Sequence, residues 1–366
     1  MKWSWRIGSV LGIPIYVHAT FLLIIAWVAL SHWLQGQTLQ STIWGILFVL
    51  ALFACVVLHE FGHALTARRY NIRTRDITLL PIGGVARLER MPENPWEELW
   101  VALAGPAVNV VIAALLFLIL WTTGTLQPIG NLGVAQGSFL ERLLVVNLFL
   151  VGFNLLPAFP MDGGRVLRAL LATRLSYTRS TQIAASIGQG MALLFGFIGF
   201  LSNPFLIFIA FFVWVGAAQE ASMVLMRSSL AGIPVSQAMQ TDFRVLEAAD
   251  TLGTAVDMIL AGSQQDFPVT DRGQLIGVLT RGELLKALAQ RPLGTSVREF
   301  MHNNFVVVDS FEMLEVALSR LNECACNTIP VLRNGRLVGL LTSENFGEFM
   351  MIQSALAASR QARQAA

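Results

Sequence analysis

The run Val57-Leu58-His59-Glu60-Phe61-Gly62-His63-Ala64 carries two histidines four residues apart, with a glutamate directly after the first. On a helix this spacing puts both imidazoles on one face, where they can share a metal ion. Glu60 stands beside them, within reach of a metal-bound water. Zinc lowers the pKa of such a water to about 7, and a neighbouring carboxylate can then take its proton. Five-residue patterns also arise by chance, but this one uses two of only five histidines in the chain. It lies in an apolar stretch, where an ionisable residue costs roughly 2.5–3.5 kcal/mol to insert and reads as functional by default. His18 and His32 lack a metal spacing and read as packing or interfacial residues, and His302 belongs to a later, more polar region.

The elements that must position this motif are membrane helices. Of 366 residues, 55% are hydrophobic and 13% charged, with a mean hydropathy of +0.62. Three cysteines exclude a disulfide scaffold, and Cys324 and Cys326, one residue apart, read as buried reduced thiols. The apolar content excludes disorder, and a net charge of +2, scattered along the chain, excludes a nucleic-acid partner. Long apolar runs lie at about 18–35, 43–64, 99–123, 140–160, 184–202 and 204–222. Arginines and lysines fall in alternate loops: Lys2 and Arg6, then Arg68 to Arg90, then Arg165 to Arg179, then Arg227, with none at 34–42 or 124–138. The alternation predicts about six crossings, with both termini cytoplasmic and the lipid bilayer as the immediate partner. The first run reads as a retained span, since no small-residue cleavage site stands out after it.

A catalytic zinc takes three protein ligands and keeps one position open. Besides Glu60, the acids near apolar runs are Glu141, Asp162 and Glu220. Glu141 falls on the non-cytoplasmic side and Glu220 near the end of the last run. Asp162 closes the fourth run in Asn154-Leu155-Leu156-Pro157-Ala158-Phe159-Pro160-Met161-Asp162-Gly163-Gly164, on the same side as His59 and His63. Two prolines and two glycines break the helix there and let a carboxylate turn inward, so Asp162 is the expected third ligand.

The paired motifs His59-Glu60-Phe61-Gly62-His63 and Asn154 to Gly163 closely resemble the site-2 protease family of intramembrane metalloproteases, over roughly residues 10–226. The resemblance implies one zinc per chain, held by His59, His63 and Asp162, with Glu60 as catalytic base. The implied activity is cleavage of transmembrane segments of membrane-anchored proteins, for example anti-sigma factors or membrane-tethered transcription regulators, in a bacterial cell membrane. It suggests for Asn154 a place near the scissile carbonyl, where its amide would meet a developing oxyanion; an interhelical hydrogen bond is the alternative. Asn147, seven residues earlier, reads as structural. Gly105-Pro106-Ala107-Val108-Asn109 is similar to the family's Gly-Pro-x-x-Asn element and reads as scaffold. The broken apolar segment at 77–92 reads as a membrane-dipping hairpin, and similar family segments are thought to offer a strand edge to substrate.

Charge density rises after Met226–Arg227: residues 1–229 hold 9 acids and 14 bases, and the shorter 230–366 hold 14 and 11. The second part repeats itself at an offset of 62 without gaps; Val235 matches Val297, Pro268-Val269 matches Pro330-Val331, and Gly273, Gly277 and Thr280 match Gly335, Gly339 and Thr342. Short strands alternating with helices make each copy resemble a cystathionine-beta-synthase (CBS) domain. The resemblance implies a pair that packs together, a homodimer contact, and a cleft for an adenine nucleotide at Thr280, Glu283, Thr342 and Asn345. Glu283 and Asn345 stand where the family pattern has Asp. A dimerisation or docking module without ligand is the alternative.

The expected architecture is therefore an α-helical integral membrane bundle of about six transmembrane helices, followed by an α/β tandem CBS pair. The divisions are a metalloprotease domain at 1–229, CBS domains at 230–291 and 292–352, and a flexible tail at 353–366. The rival reading is a CBS-regulated membrane ion transporter or channel. It accommodates Asp162 but not two histidines at helical spacing with Glu60 between them.

Overall fold

A computed structural model describes residues 3–81, 83–92, 94–127, 133, 137–324 and 326–365. The chain forms two compact units, Met1–Leu225 and Met226–Ala366.

In the first unit, β1 (Ser4–Val10) and β2 (Ile13–His18) form a hairpin whose two-residue loop, Leu11-Gly12, has positive φ at both positions. Such a turn matches the twist of the flanking strands. The helices α1 (Phe21–Leu34) and α2 (Leu39–Arg69) follow, then a second hairpin of β3 (Thr74–Leu80) and β4 (Gly83–Leu88). The four strands make one sheet in chain order, parallel only between β2 and β3, with β4 at one edge. Alternate residues Ile13 and Ile15, with Ile77 opposite, turn inward and pack on Phe61 and Ala64 of α2. That contact fixes the sheet against the turn of α2 that carries the histidines.

The remaining helices are α3 (Pro95–Thr122), α4 (Phe139–Asn154), α5 (Asp162–Ala172), α6 (Tyr177–Leu201) and α7 (Pro204–Leu230). Among the described residues, α2, α3, α6 and α7 are long and apolar enough to cross a bilayer. The first and fourth apolar runs fold as shorter helices, α1 of 14 and α4 of 16 residues, below the ~20 that a perpendicular crossing needs. Glu141 closes a capping box at the start of α4: its carboxylate accepts from Ser138 N–H, and Ser138 Oγ accepts from Glu141 N–H.

The second unit contains two copies of one pattern. In the first, β5 (Leu246–Glu247), α8 (Leu252–Leu260), β6 (Phe267–Asp271), β7 (Gln274–Leu279) and α9 (Arg281–Leu288) follow one another. In the second, β8 (Val308–Asp309), α10 (Leu314–Cys324), β9 (Thr328–Arg333), β10 (Arg336–Thr342) and α11 (Ser343–Ala365) repeat the order. Each sheet pairs its middle strand parallel to the first and antiparallel to the third. The stretch read as a tail is helical through Ala365, and Cys324 and Cys326, expected as reduced thiols, are joined as a disulfide.

The copies exchange their leading segments. Val235 and Ala238 bury themselves with Val308, Leu314, Ile329 and Val331 of the second copy. Val297, from the second copy's own leading segment, completes the core of Leu246, Leu252, Phe267 and Leu284. Backbone bonds follow the same exchange: Val235 N–H donates to the Glu312 carbonyl, and Val297 N–H to that of Asp250. The units of packing are thus not the units of repetition.

Candidate metal centre

Both histidines come from α2, one helical turn apart, and both are buried. Asp162 reaches them from a different position than expected. The fourth run stops at Asn154, and Asp162 is the first residue of α5. A carboxylate suits a helix N-terminus, where backbone N–H groups lack intrahelical partners. Gly163 lets the start of α5 lie against the chain that leads to it, because a Cβ there would collide with the backbone of Leu155 and Leu156.

His59 Nε2 and His63 Nε2 are 3.1 Å apart, and Asp162 Oδ2 lies 3.2 Å from the first and 3.1 Å from the second. The opposite ring nitrogens are committed elsewhere. His63 Nδ1–H donates to the Val101 carbonyl at 2.7 Å, and His59 Nδ1–H to Asn109 Oδ1 at 2.5 Å. In the neutral imidazoles each Nε2 therefore turns a lone pair inward, and three buried acceptors face one another. A cation resolves that arrangement. Tetrahedral zinc with Zn–N bonds near 2.05 Å sets its ligand atoms about 3.3 Å apart, so the observed triangle fits with little adjustment. These three are the group among the described residues able to hold a metal ion. Gly105 of α3 passes so close that a Cβ there would overlap His63 Nε2 and His59 Nε2. The Gly-Pro-x-x-Asn element, read from sequence as scaffold, thus supplies both the clearance at Gly105 and the acceptor at Asn109.

Glu60 is half-buried beside this triangle, and its Oε2 accepts a hydrogen bond from Ala86 N–H of β4 at 3.0 Å. The edge strand and the carboxylate are thereby joined. Asn154, at the end of α4, is half-buried, and its side chain makes no hydrogen bond among the described residues.

A second polar cluster escaped the sequence reading. Arg168 of α5, counted there as a loop charge, is fully buried. Its Nε donates to Glu98 Oε1 of α3 at 2.8 Å and its NH1 group to Glu220 Oε1 of α7 at 2.5 Å, while the rings of Phe159 and Tyr177 lie 5.0 and 4.9 Å away. The triad ties the helix that begins with Asp162 to two long apolar helices.

In the second unit Thr280 and Thr342 cap helices: their Oγ1 atoms accept from the N–H groups of Glu283 and Asn345. Thr342 and Asn345 line a cleft of about 500 Å³ together with Gln240, Asp266, Thr328 and Glu344, whereas Thr280 and Glu283 do not. Glu283 pairs instead with Lys286 at 2.8 Å and faces His302 at 3.6 Å. The Lys286 hydrogen bond, aided by the charges of Lys286 and His302, holds this carboxyl below its ordinary range.

Comparison with known proteins agrees with these features. The profile of peptidase family M50 matches residues 47–135 and 130–195, and that of the CBS domain matches 235–290 and 297–349. A zinc metalloprotease from Methanocaldococcus jannaschii is 33% identical over 353 residues, 96% of this chain and 97% of its own. A protein of a Synechocystis species, named as a zinc metalloprotease, is 30% identical over 92% of both chains. The solved structure of a site-2 protease from M. jannaschii covers 60% of this chain and 95% of its own, at 38% identity and a TM-score of 0.45. With a relative one-third identical along nearly the whole length of both sequences, the chain belongs to peptidase family M50 and carries a CBS pair behind its membrane-embedded part.

Proposed function

We propose that this protein is a zinc-dependent intramembrane endopeptidase that cuts transmembrane segments of membrane-anchored proteins, with His59, His63 and Asp162 as the metal ligands. Three inward-facing acceptors 3.1–3.2 Å apart carry this assignment. A zinc ion there would supply Lewis acidity, which makes water a competent nucleophile near neutral pH. Glu60 takes the proton of the attacking water and returns it to the departing amine. Asn154, with its amide uncommitted, is the proposed donor to the carbonyl oxygen.

A peptide bond in a helix must first be unwound, and β4 is suited to receive it. It is the edge of its sheet, and its Ala86 N–H already touches Glu60, so a substrate strand added there passes the base. Membrane-tethered regulators are the expected substrates. Six crossings, with α1 and α4 as the short ones, both termini cytoplasmic and a bacterial cell membrane complete the proposed setting, with domains at 1–229, 230–291 and 292–352, a tail at 353–366, and a homodimer through the CBS pair. The comparisons lend no support to an ion transporter.

For the CBS pair we propose an adenosine-type regulator in the cleft at Thr342 and Asn345. Asp266, Glu344 and Glu348 line it, with no lysine or arginine among the described residues that do, which favours a nucleoside or a cationic adenosine compound over a polyphosphate. Calorimetry of the full chain should give heat with S-adenosylmethionine and less with ATP; silence from ATP, AMP and S-adenosylmethionine alike refutes it.

Glu60→Gln tests the central reading. The variant should keep its zinc and lose cleavage of a tagged single-span substrate by roughly 10²–10⁴-fold, the usual contribution of general acid–base catalysis. Undiminished cleavage, or a wild type that contains no zinc, overturns it.

A further inference from the structure

Nothing in the motif itself decides which nitrogen of His59 carries the proton, and the buried polar chain behind it supplies the answer. Asn109 Oδ1 receives His59 Nδ1–H at 2.5 Å. Its amide Nδ2 donates to Asn147 Oδ1 at 2.8 Å, and Asn147 Nδ2 donates to the Leu143 carbonyl at 2.8 Å, with Cys55 Sγ at 3.5 Å on the same side. Both asparagines are fully buried. A carbonyl oxygen only accepts. Leu143 O therefore requires the NH2 end of Asn147, which leaves Asn147 Oδ1 facing α3. That oxygen in turn requires the NH2 end of Asn109, which leaves Asn109 Oδ1 facing His59. Flipping either amide sets two acceptors against each other at fully buried side chains.

We infer that Asn147 is a positioning residue for the metal site: through Asn109 it transmits the polarity of one backbone carbonyl to His59, fixing the imidazole with its proton on Nδ1 and its lone pair on Nε2 toward Asp162 and His63. The inference rests on the proposed metal reading. His63 reaches the same state in one step, because the Val101 carbonyl accepts directly from its Nδ1–H. Outer partners of this kind typically change metal affinity by about 10–100-fold when removed.

A double-mutant cycle on the purified full-length protein tests it, with zinc affinity measured by chelator competition and folding monitored by thermal unfolding. Asn147→Leu should weaken zinc by about tenfold or more. Asn109→Asp places a carboxylate, an acceptor at both oxygens, behind His59 and should retain zinc. In that background the second carboxylate oxygen faces Asn147 Oδ1, so adding Asn147→Leu removes an opposed acceptor and should cost no zinc affinity, because a carboxylate needs no neighbour to orient it. An equal loss in both backgrounds, or no loss in either, shows that Asn147 serves packing alone and overturns the inference. ¹⁵N imidazole spectra of the metal-free wild type provide a second readout. Both histidines should carry hydrogen on Nδ1, and Asn147→Leu, or Asn147→Ala where the first does not fold, should mix the tautomers of His59 while His63 stays unchanged. A wild-type His59 protonated on Nε2 overturns the relay outright. A wild type that takes up no zinc sinks the metal reading and the relay with it, whereas a zinc-binding wild type with equal losses in the cycle sinks the relay only.

Discussion

Arg168 and Lys286 are each paired with glutamate, in regions that treat charge in opposite ways. The Arg168 side chain is 0% exposed, held between Glu98 and Glu220 in the membrane-embedded unit, and the Lys286 side chain is 71% exposed beside Glu283 in the CBS unit. In the first region the polar groups around the three converging ligands and Arg168 fix one another: the two histidines are held by Asn109 and Val101, Asn109 by Asn147, Arg168 by its two acids. Because these groups are buried, each such partner is difficult to replace. The CBS unit is held by apolar side chains such as Phe267 and Ile329, and its ion pairs lie at the surface. Specific geometry thus resides in polar contacts in one region and in shape in the other.

Substitutions should separate the two regimes. Asp162→Ala is expected to have the largest effect: bound zinc and cleavage both disappear while the protein still folds, as read by elemental analysis and a cleavage assay. Retained metal would break the comparison at its strongest point. Gly105→Ala should also displace zinc, because its added carbon overlaps both Nε2 atoms; normal zinc content would show that the helices yield more readily than their packing suggests. Arg168→Met leaves the buried Glu98 and the half-buried Glu220 without a counter-charge and should cost about 3–5 kcal/mol of unfolding free energy. Phe267→Ala, at 1% exposure, should cost a similar ~3–5 kcal/mol in the CBS unit while leaving zinc content unchanged. Lys286→Ala should change stability by less than about 1 kcal/mol. Its signature lies in pH. The Glu283 carboxyl is depressed by Lys286 in the folded state, so its small contribution is present above the ordinary carboxylate pKa and fades as the pH falls through the lowered one. Loss of Lys286 should flatten that part of the acid-unfolding curve.

The proposed catalytic constellation was legible in the sequence because its grammar is local. His59, Glu60 and His63 sit within one helical turn and a half, and Asp162 announces itself by a carboxylate among prolines and glycines at a span end. What supports it was not legible. Asn109 and Asn147 are far apart in the chain, and only the packing of α3 on α4 joins their amides. Arg168 was misread because counting loop charges assigns each arginine to water, and a count contains no burial. The strands β1 and β2 precede α1, and the alternation of Ile13, Ile15 and Val17 is too short to stand out beside the apolar run that follows it. The repeat at offset 62 revealed a duplication but not its exchange, since copies that keep or trade their leading segments leave the same pattern of matches.

That exchange sets an order for biosynthesis. Val235 and Ala238 emerge from the ribosome long before Val308 and Leu314 exist to cover them, and the first copy waits for Val297 before its own interior can close. Neither half is a finished object when its own residues are complete. The pair can close only once the second copy has been made, and a chain truncated after the first copy should be recognised as unfolded and degraded rather than persist as a smaller working module.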